Sequence, residues 1–297
     1  MNRHWVFYLR LACRRGWRAV AAQAGCVLAL FAVGGGLVFA AQEPPKLSVF
    51  IVPQLTVIDT HRAWAPFLER LGARTGMQFE LRHSTSIPQF EAYLERGEPD
   101  LAFINPYHAV MMKHRPGYIV LARSTIPLTG VVVVAADSPI KSLQQLNGMD
   151  IAFPAPNAFG ASLFIRALLA YEGIRFTPRY VKTHQNVYRH IIMGDVAAGG
   201  GIRTTLERES DAVQEKLRVM FETVGVAPHP LVAHPRVAPQ LRERIVSEIM
   251  AMGADADRSL LAAVGLTVPM RADYARDYQS LEKYNFQRFV IHGEITH

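Results

Sequence analysis

The chain has 297 residues, half of them hydrophobic, enough to bury a sizeable core as one large domain or two moderate ones. Its formal net charge of +7 hints at nucleic acid, but Arg3, Arg10, Arg14, Arg15 and Arg18 carry most of that excess and no acid lies beside them in the first forty residues. No long basic run follows, which argues against a nucleic-acid partner.

Residues 1–40 read as a signal peptide. A basic region ending at Arg18 precedes the apolar, small-residue run Ala19 to Phe39, and Val38-Phe39-Ala40 offers a small-residue cleavage site after Ala40. The rival is an uncleaved anchor, since about 20 apolar residues span a bilayer. Either way the body is expected outside the cytoplasm, as a periplasmic protein. Cys13 and Cys26 both fall in this leader, so a cleaved protein has no disulfide, thiol nucleophile or thiolate metal site. Gln23-Ala24-Gly25-Cys26 matches a lipoprotein box poorly, because its apolar run follows the cysteine.

From Leu47 strands and helices alternate. Leu47 to Val52 reads as a strand; Trp64, Phe67, Leu68 and Leu71 recur at helical spacing up to Gly76, with Pro66 near the first turn. Gln78 to His83 is the next strand, Ser86-Ile87-Pro88-Gln89 has capping-box spacing, and Asp100 to Ile104 is a buried strand ending at Asn105-Pro106-Tyr107-His108. Tyr118 to Ala122 and Gly130 to Ala135 add two strands. Strands are further expected at Arg179 to Val181, Val196 to Gly200 and Leu217 to Phe221, with a helix from Asn186 to Met193. Beyond Pro228 and Pro230 the pattern turns helical, over Leu241 to Met252, near Leu260 and around Tyr278 to Phe286. The alternation predicts an α/β protein with mainly parallel sheets and ligands at the carboxyl ends of the strands.

Asp150 to Ala170 stands out. A strand to Phe153, a rigid Pro154/Pro156 turn and a helix over Ala161 to Ala170 would aim the first N–H groups of that helix into a loop, a ready anion site, with small residues allowing close approach. An ordinary strand-to-helix turn has the same pattern.

Asp100 to Tyr107, Gly130 to Val134 with Asp137-Ser-Pro-Ile140, Leu143 to Gly148, Ile151 to Asn157, His184 and the Gly194 region together resemble the phosphate/phosphite/phosphonate solute-binding proteins of ABC transporters. The resemblance implies a two-lobed periplasmic-binding-protein fold, lobe one over residues 47–129 plus 226–297 and lobe two over 130–225, joined by two crossing hinge strands. It also implies a small ligand held in the cleft between the lobes. Where the family carries Ser-Thr-Ser type residues after the Asn157 turn, this chain has Ala158, Phe159 and Gly160, and Ala197 replaces the family's later Asp. A partly apolar organic ligand is therefore expected in place of a fully charged phosphate, with Phe159 as an apolar wall.

Candidate ligand residues are Asn105, Tyr107 and His108 on one lobe and Asn157, Phe159, Ser162, His184 and Tyr188 on the other, with Gln54 at the lip. Asn105 and Asn157 serve equally as Asx turns, Tyr107 as packing, and Gln54 as a loop cap. His184 and Tyr188 share a helical face. His229 and His234 are expected on a solvated crossover and not at a metal. No catalytic motif, metal site or cofactor site is apparent. An enzyme on this fold, such as a pyrimidine-precursor synthase, would need a His and Lys constellation in the cleft. The expected partners are a small anion or organic molecule and either a membrane permease or a sensor histidine kinase.

Overall fold

The computed structural model describes residues 43–291. The leader and its cleavage site lie outside the described residues. Two sheets organise the rest. One contains β1 (Lys46–Ile51), β2 (Gln78–Arg82), β3 (Leu101–Phe103), β4 (Ile119–Ser124), β10 (Leu231–Ala233) and β11 (Pro269–Arg271), in the order β11-β4-β10-β3-β1-β2. The other contains β5 (Gly130–Ala135), β6 (Asp150–Phe153), β7 (Thr177–Tyr180), β8 (Ala198–Ile202) and β9 (Leu217–Glu222), in the order β7-β6-β8-β5-β9.

Both sheets are mixed, which corrects the expectation of mainly parallel ones. β1 runs parallel to β2 and β3, and β6 to β7 and β8, but β10 and β11 on one side and β5 and β9 on the other are joined by antiparallel pairings. The cause is connectivity. A chain that leaves one sheet at the carboxyl ends of its strands enters the other from that same end, so β5 and β10 run against their neighbours. Between β4 and β5 and between β9 and β10, Leu128 and Val226 exchange backbone hydrogen bonds of 2.9 and 3.0 Å, clasping the two connections together.

The principal helices follow local chemistry. α1 (Val57–Thr75) begins where Thr56 accepts from the Asp59 N–H, buries Trp64, Phe67, Leu68 and Leu71 on one stripe, and stops at Gly76, whose φ of 67° suits glycine. Pro66 therefore lies in mid-helix and not near the first turn. α2 (Ile87–Glu95) starts at Ser86, which accepts from Gln89 N, while the Gln89 side chain reaches back to Thr85 N. α3 (Pro106–His114) is capped by Asn105, and α5 (His184–Met193) by Thr183. α4 (Phe164–Tyr171) is entered through a π-turn over Phe159–Leu163. α6 (Pro239–Ala254) and α7 (Arg258–Ala263) pack with α1 on the first sheet.

The π-turn explains Gly199-Gly200-Gly201. A Cβ on Gly200 would stand 2.0 Å from the Ala161 carbonyl oxygen and one on Gly199 2.3 Å from Val187 Cγ1, so bare backbone in β8 lets helices approach from both faces. One core lies under α1 and α6, two cover the faces of the second sheet, and a fourth joins residues of both, including Tyr107, Phe159, Phe164, Tyr278 and Phe286. The last of these takes in the C-terminal segment. Expected with lobe one, its final turns also reach α4: Arg166 Nη2 donates to Phe289 O at 2.7 Å, Tyr171 to Tyr284 O at 2.8 Å, and Asn157 and Ile291 exchange two bonds of 3.1 Å.

Candidate ligand-binding cleft

Because strands of both sheets end facing one another, the loops that follow them converge. Pro53–Thr56 follows β1, Thr85–Pro88 follows β2, Pro154–Asn157 follows β6 and Lys182–Gln185 follows β7, and together they wall a cleft of about 820 Å³. Three helices, α1, α2 and α5, begin there. Their first-turn N–H groups have no intrahelical partners and carry partial positive charge. Asp59 in the first turn of α1 is engaged by Thr56 and Arg62, at 2.8 Å each, whereas the first turns of α2 and α5 contain no acid. Lys182 and Arg208 on the wall form no ion pair among the described residues.

The family described as ABC transporter, phosphonate, periplasmic substrate-binding protein matches residues 49–278. The chain belongs to this family. Its fold resembles a binding component of an ABC phosphonate transporter from Pseudomonas aeruginosa, at 15% identity over 83% of this chain and 88% of that one, with a TM-score of 0.69. PhnD1 from Prochlorococcus marinus, solved with methylphosphonate, gives a TM-score of 0.72 at 15% identity over 82% and 98%. XAC2383 from Xanthomonas citri, solved with ATP, gives 0.72 at 17% over 83% and 99%. No curated protein matches the chain. The protein is thus a periplasmic substrate-binding protein of an ABC transporter, with the two-lobed fold of its class. Among the described residues no helix is long and apolar enough to cross a membrane.

Within this binding protein the expected site residues divide. Gln54, Asn157 and His184 line the cleft. The other six are packed behind it. Asn105 is buried, its Oδ1 accepting from His108 N at 2.8 Å and its amide 3.5 Å from Asn157 O, so it acts as a helix cap. Tyr107 packs edge-on to Phe286, and burial drives its phenol well above the ordinary range. His108 is fully buried, with Nε2 3.0 Å from Glu91 Oε1. Phe159 is no apolar wall: it stacks on Phe164 at 5.6 Å and meets Phe286 at 5.3 Å. Ser162 is fully buried and accepts from Arg166 Nε at 3.2 Å, and the Tyr188 hydroxyl lies 3.3 Å from Thr205 Oγ1 beneath β8. The reason is common to the last three: the glycines of β8 draw the start of the Phe159 helix and the face of α5 down onto the sheet. The helix start facing the cleft is therefore that of α5, not that at Ala161.

Residues that sequence reasoning passed over complete the wall. His229 was expected on a solvated crossover; it is half-buried, stacked on Phe103 at 5.7 Å and 2.8 Å from Gln54 Nε2, which donates to the neutral ring. Burial lowers its pKa to about 3, and that of His184 to about 4. Both are neutral at physiological pH. His184 Nδ1 and the Tyr180 hydroxyl are buried atoms without a hydrogen-bond partner among the described residues, and both residues line the cleft. By contrast the wall hydroxyls of Thr56, Thr85 and Thr205 donate to Asp59, Gln89 and Ile202 O respectively. Behind the wall, Arg166 is buried with no carboxylate partner among the described residues; its Nη2 donates to Pro156 O at 2.8 Å, and burial lowers its pKa. Thr56 and Thr183 were findable, since each ends a strand-to-helix turn as a cap; His229 carried no local signal.

Proposed function

We propose that this protein captures a small organic anion in the cleft and delivers it to the membrane permease of its transporter, with no chemical step on the ligand. The observation carrying this is the convergence of three helix starts on one cleft, two of them without a first-turn acid. An anion there meets backbone donors, His184, Tyr180, and Lys182 and Arg208, which like the acid Glu209 beside them have no ion-pair partner among the described residues. The hydroxyls of Thr56, Thr85 and Thr205 already donate within the protein, which leaves Ser86 and Thr183 as hydroxyl donors on the wall, so a phosphate stripped of water would leave bonds unmade at about 1 to 3 kcal/mol each. That favours an organic anion over inorganic phosphate. Among the described residues neither His184 nor His229 has a carboxylate partner to orient it as a base, which supports binding over catalysis.

In the same reading, residues 47–129 with 226–297 and residues 130–225 are two lobes that close about the Leu128–Val226 clasp, and export proceeds with loss of the leader near Ala40. Calorimetry of the full chain with phosphate, phosphite, methylphosphonate and small carboxylates and sulfonates tests the ligand class. Organic anions should bind, and His184→Ala should weaken them at least tenfold. Sub-micromolar phosphate binding that survives His184→Ala would refute the proposal.

A further inference from the structure

A second cavity, of about 300 Å³, opens off the cleft, and the two share Gln54, Leu55, His184, Thr205 and Arg208. Its walls include a broad hydrocarbon face. Ile51, Trp64, Phe103, Leu128, Ile202 and Val264 present hydrocarbon, and Arg208, at the shared mouth, is the one formally charged side chain among the lining residues. Of the polar groups that remain, Thr60, Thr204 and Thr267 keep their hydroxyls for a tenant and several others already have partners. Ser124 Oγ accepts from Ile126 N at 3.1 Å, Thr205 donates to Ile202 O at 2.7 Å, and the Gln54 amide and His229 Nε2 satisfy each other across the junction. His229 turns a neutral ring, stacked on Phe103, to this side.

A hydrocarbon tenant laid against Ile51, Trp64, Phe103 and Val264 gains by leaving water, whereas a charged one would lose its hydration against that face. Size sets the upper limit. A cavity of about 150 Å³ accepts a benzene ring, so this one has room for a ring or a short branched chain.

We propose that this side chamber receives a hydrocarbon substituent of the ligand, so that the ligand is an organoanion with its charged head beside His184 and an alkyl or aryl group beside Trp64. The inference rests on the cleft reading above and adds the substituent class to it.

Calorimetry of the full chain with methyl-, propyl-, butyl- and phenylphosphonate, and with the carboxylates bearing the same substituents, tests it. Each added methylene should tighten binding about three- to fourfold until the chamber is full. Propylphosphonate should bind better than 2-aminoethylphosphonate, its near-isostere with a charged end. Tryptophan emission should shift with the longer members and not with the methyl ones, and the shift should vanish in Trp64→Phe. Ala262→Phe, which puts a ring on the chamber wall, should bring the butyl-to-methyl affinity ratio close to one. Equal affinities along either series, or a preference for the aminoethyl compound, would overturn the chamber while leaving the cleft reading intact. Failure of every anion to bind would overturn both.

Discussion

Two neutral histidines at the cleft make stability depend on pH in a predictable direction. Burial depresses His184 to about 4 and His229 to about 3, from an ordinary value of 6.5. Between those values the unfolded chain binds more protons than the folded one, so stability is complete above 6.5 and is lost as pH falls. The slope approaches about 1.4 kcal/mol per pH unit for each group. From pH 7.5 to 5.5 the pair would cost about 2 to 3 kcal/mol if wholly shielded, and about 1 to 3 kcal/mol given the water that still reaches half-buried rings. For a chain of this size that lowers Tm by about 3 to 10 °C. The carboxylates with displaced pKa values, such as Asp100 and Asp277, are all depressed and titrate below this window, and His83 and His234 add a smaller drop of the same sign. Calorimetric scans at constant ionic strength, on the wild type and on His184→Gln/His229→Gln, provide the assay. A Tm that holds or rises at pH 5.5, or a double variant with an undiminished drop, would refute the reasoning.

Gly200→Ala should destabilise the fold by about 1 to 3 kcal/mol in urea melts, because its Cβ would stand 2.0 Å from Ala161 O and 2.7 Å from the Phe153 ring. Asp277→Ala should cost about 3 to 5 kcal/mol by the same measurement, since it strips the buried partner of Arg123 at 2.7 Å. Asn157→Ala should speed hydrogen exchange at Ile291, read by mass spectrometry, because both 3.1 Å bonds to the C-terminal segment are lost. A ligand found by calorimetry should compact the protein in small-angle scattering and raise Tm, as expected if the lobes close about the Leu128–Val226 clasp.

The order of elements was legible because period carries it. Trp64, Phe67, Leu68 and Leu71 mark a helix face, Gly130 to Ala135 a buried strand, and Ser86 with Gln89 a helix start, each from neighbours within a few residues. β10 and β11 were missed because three residues hold no periodicity, and Pro230 and Pro269 read as loop.

Which residues face the ligand was another matter. Sequence placed Gln54, Asn157 and His184 at strand ends, and those line the cleft, yet the same logic applied to Tyr107, Phe159 and Tyr188 led to side chains sealed inside. A strand end names a loop but not the direction of its side chains. That direction was set by contacts far apart in the chain: the β8 glycines drawing down the Phe159 turn, Phe286 arriving to pack on Phe159, and Phe103 holding His229 toward the cleft. Local pattern determined the α/β scaffold and the end of it that binds. Only packing between distant segments decided which groups stay in reach of a ligand, because burial is a property of the surface that remains once those segments have met.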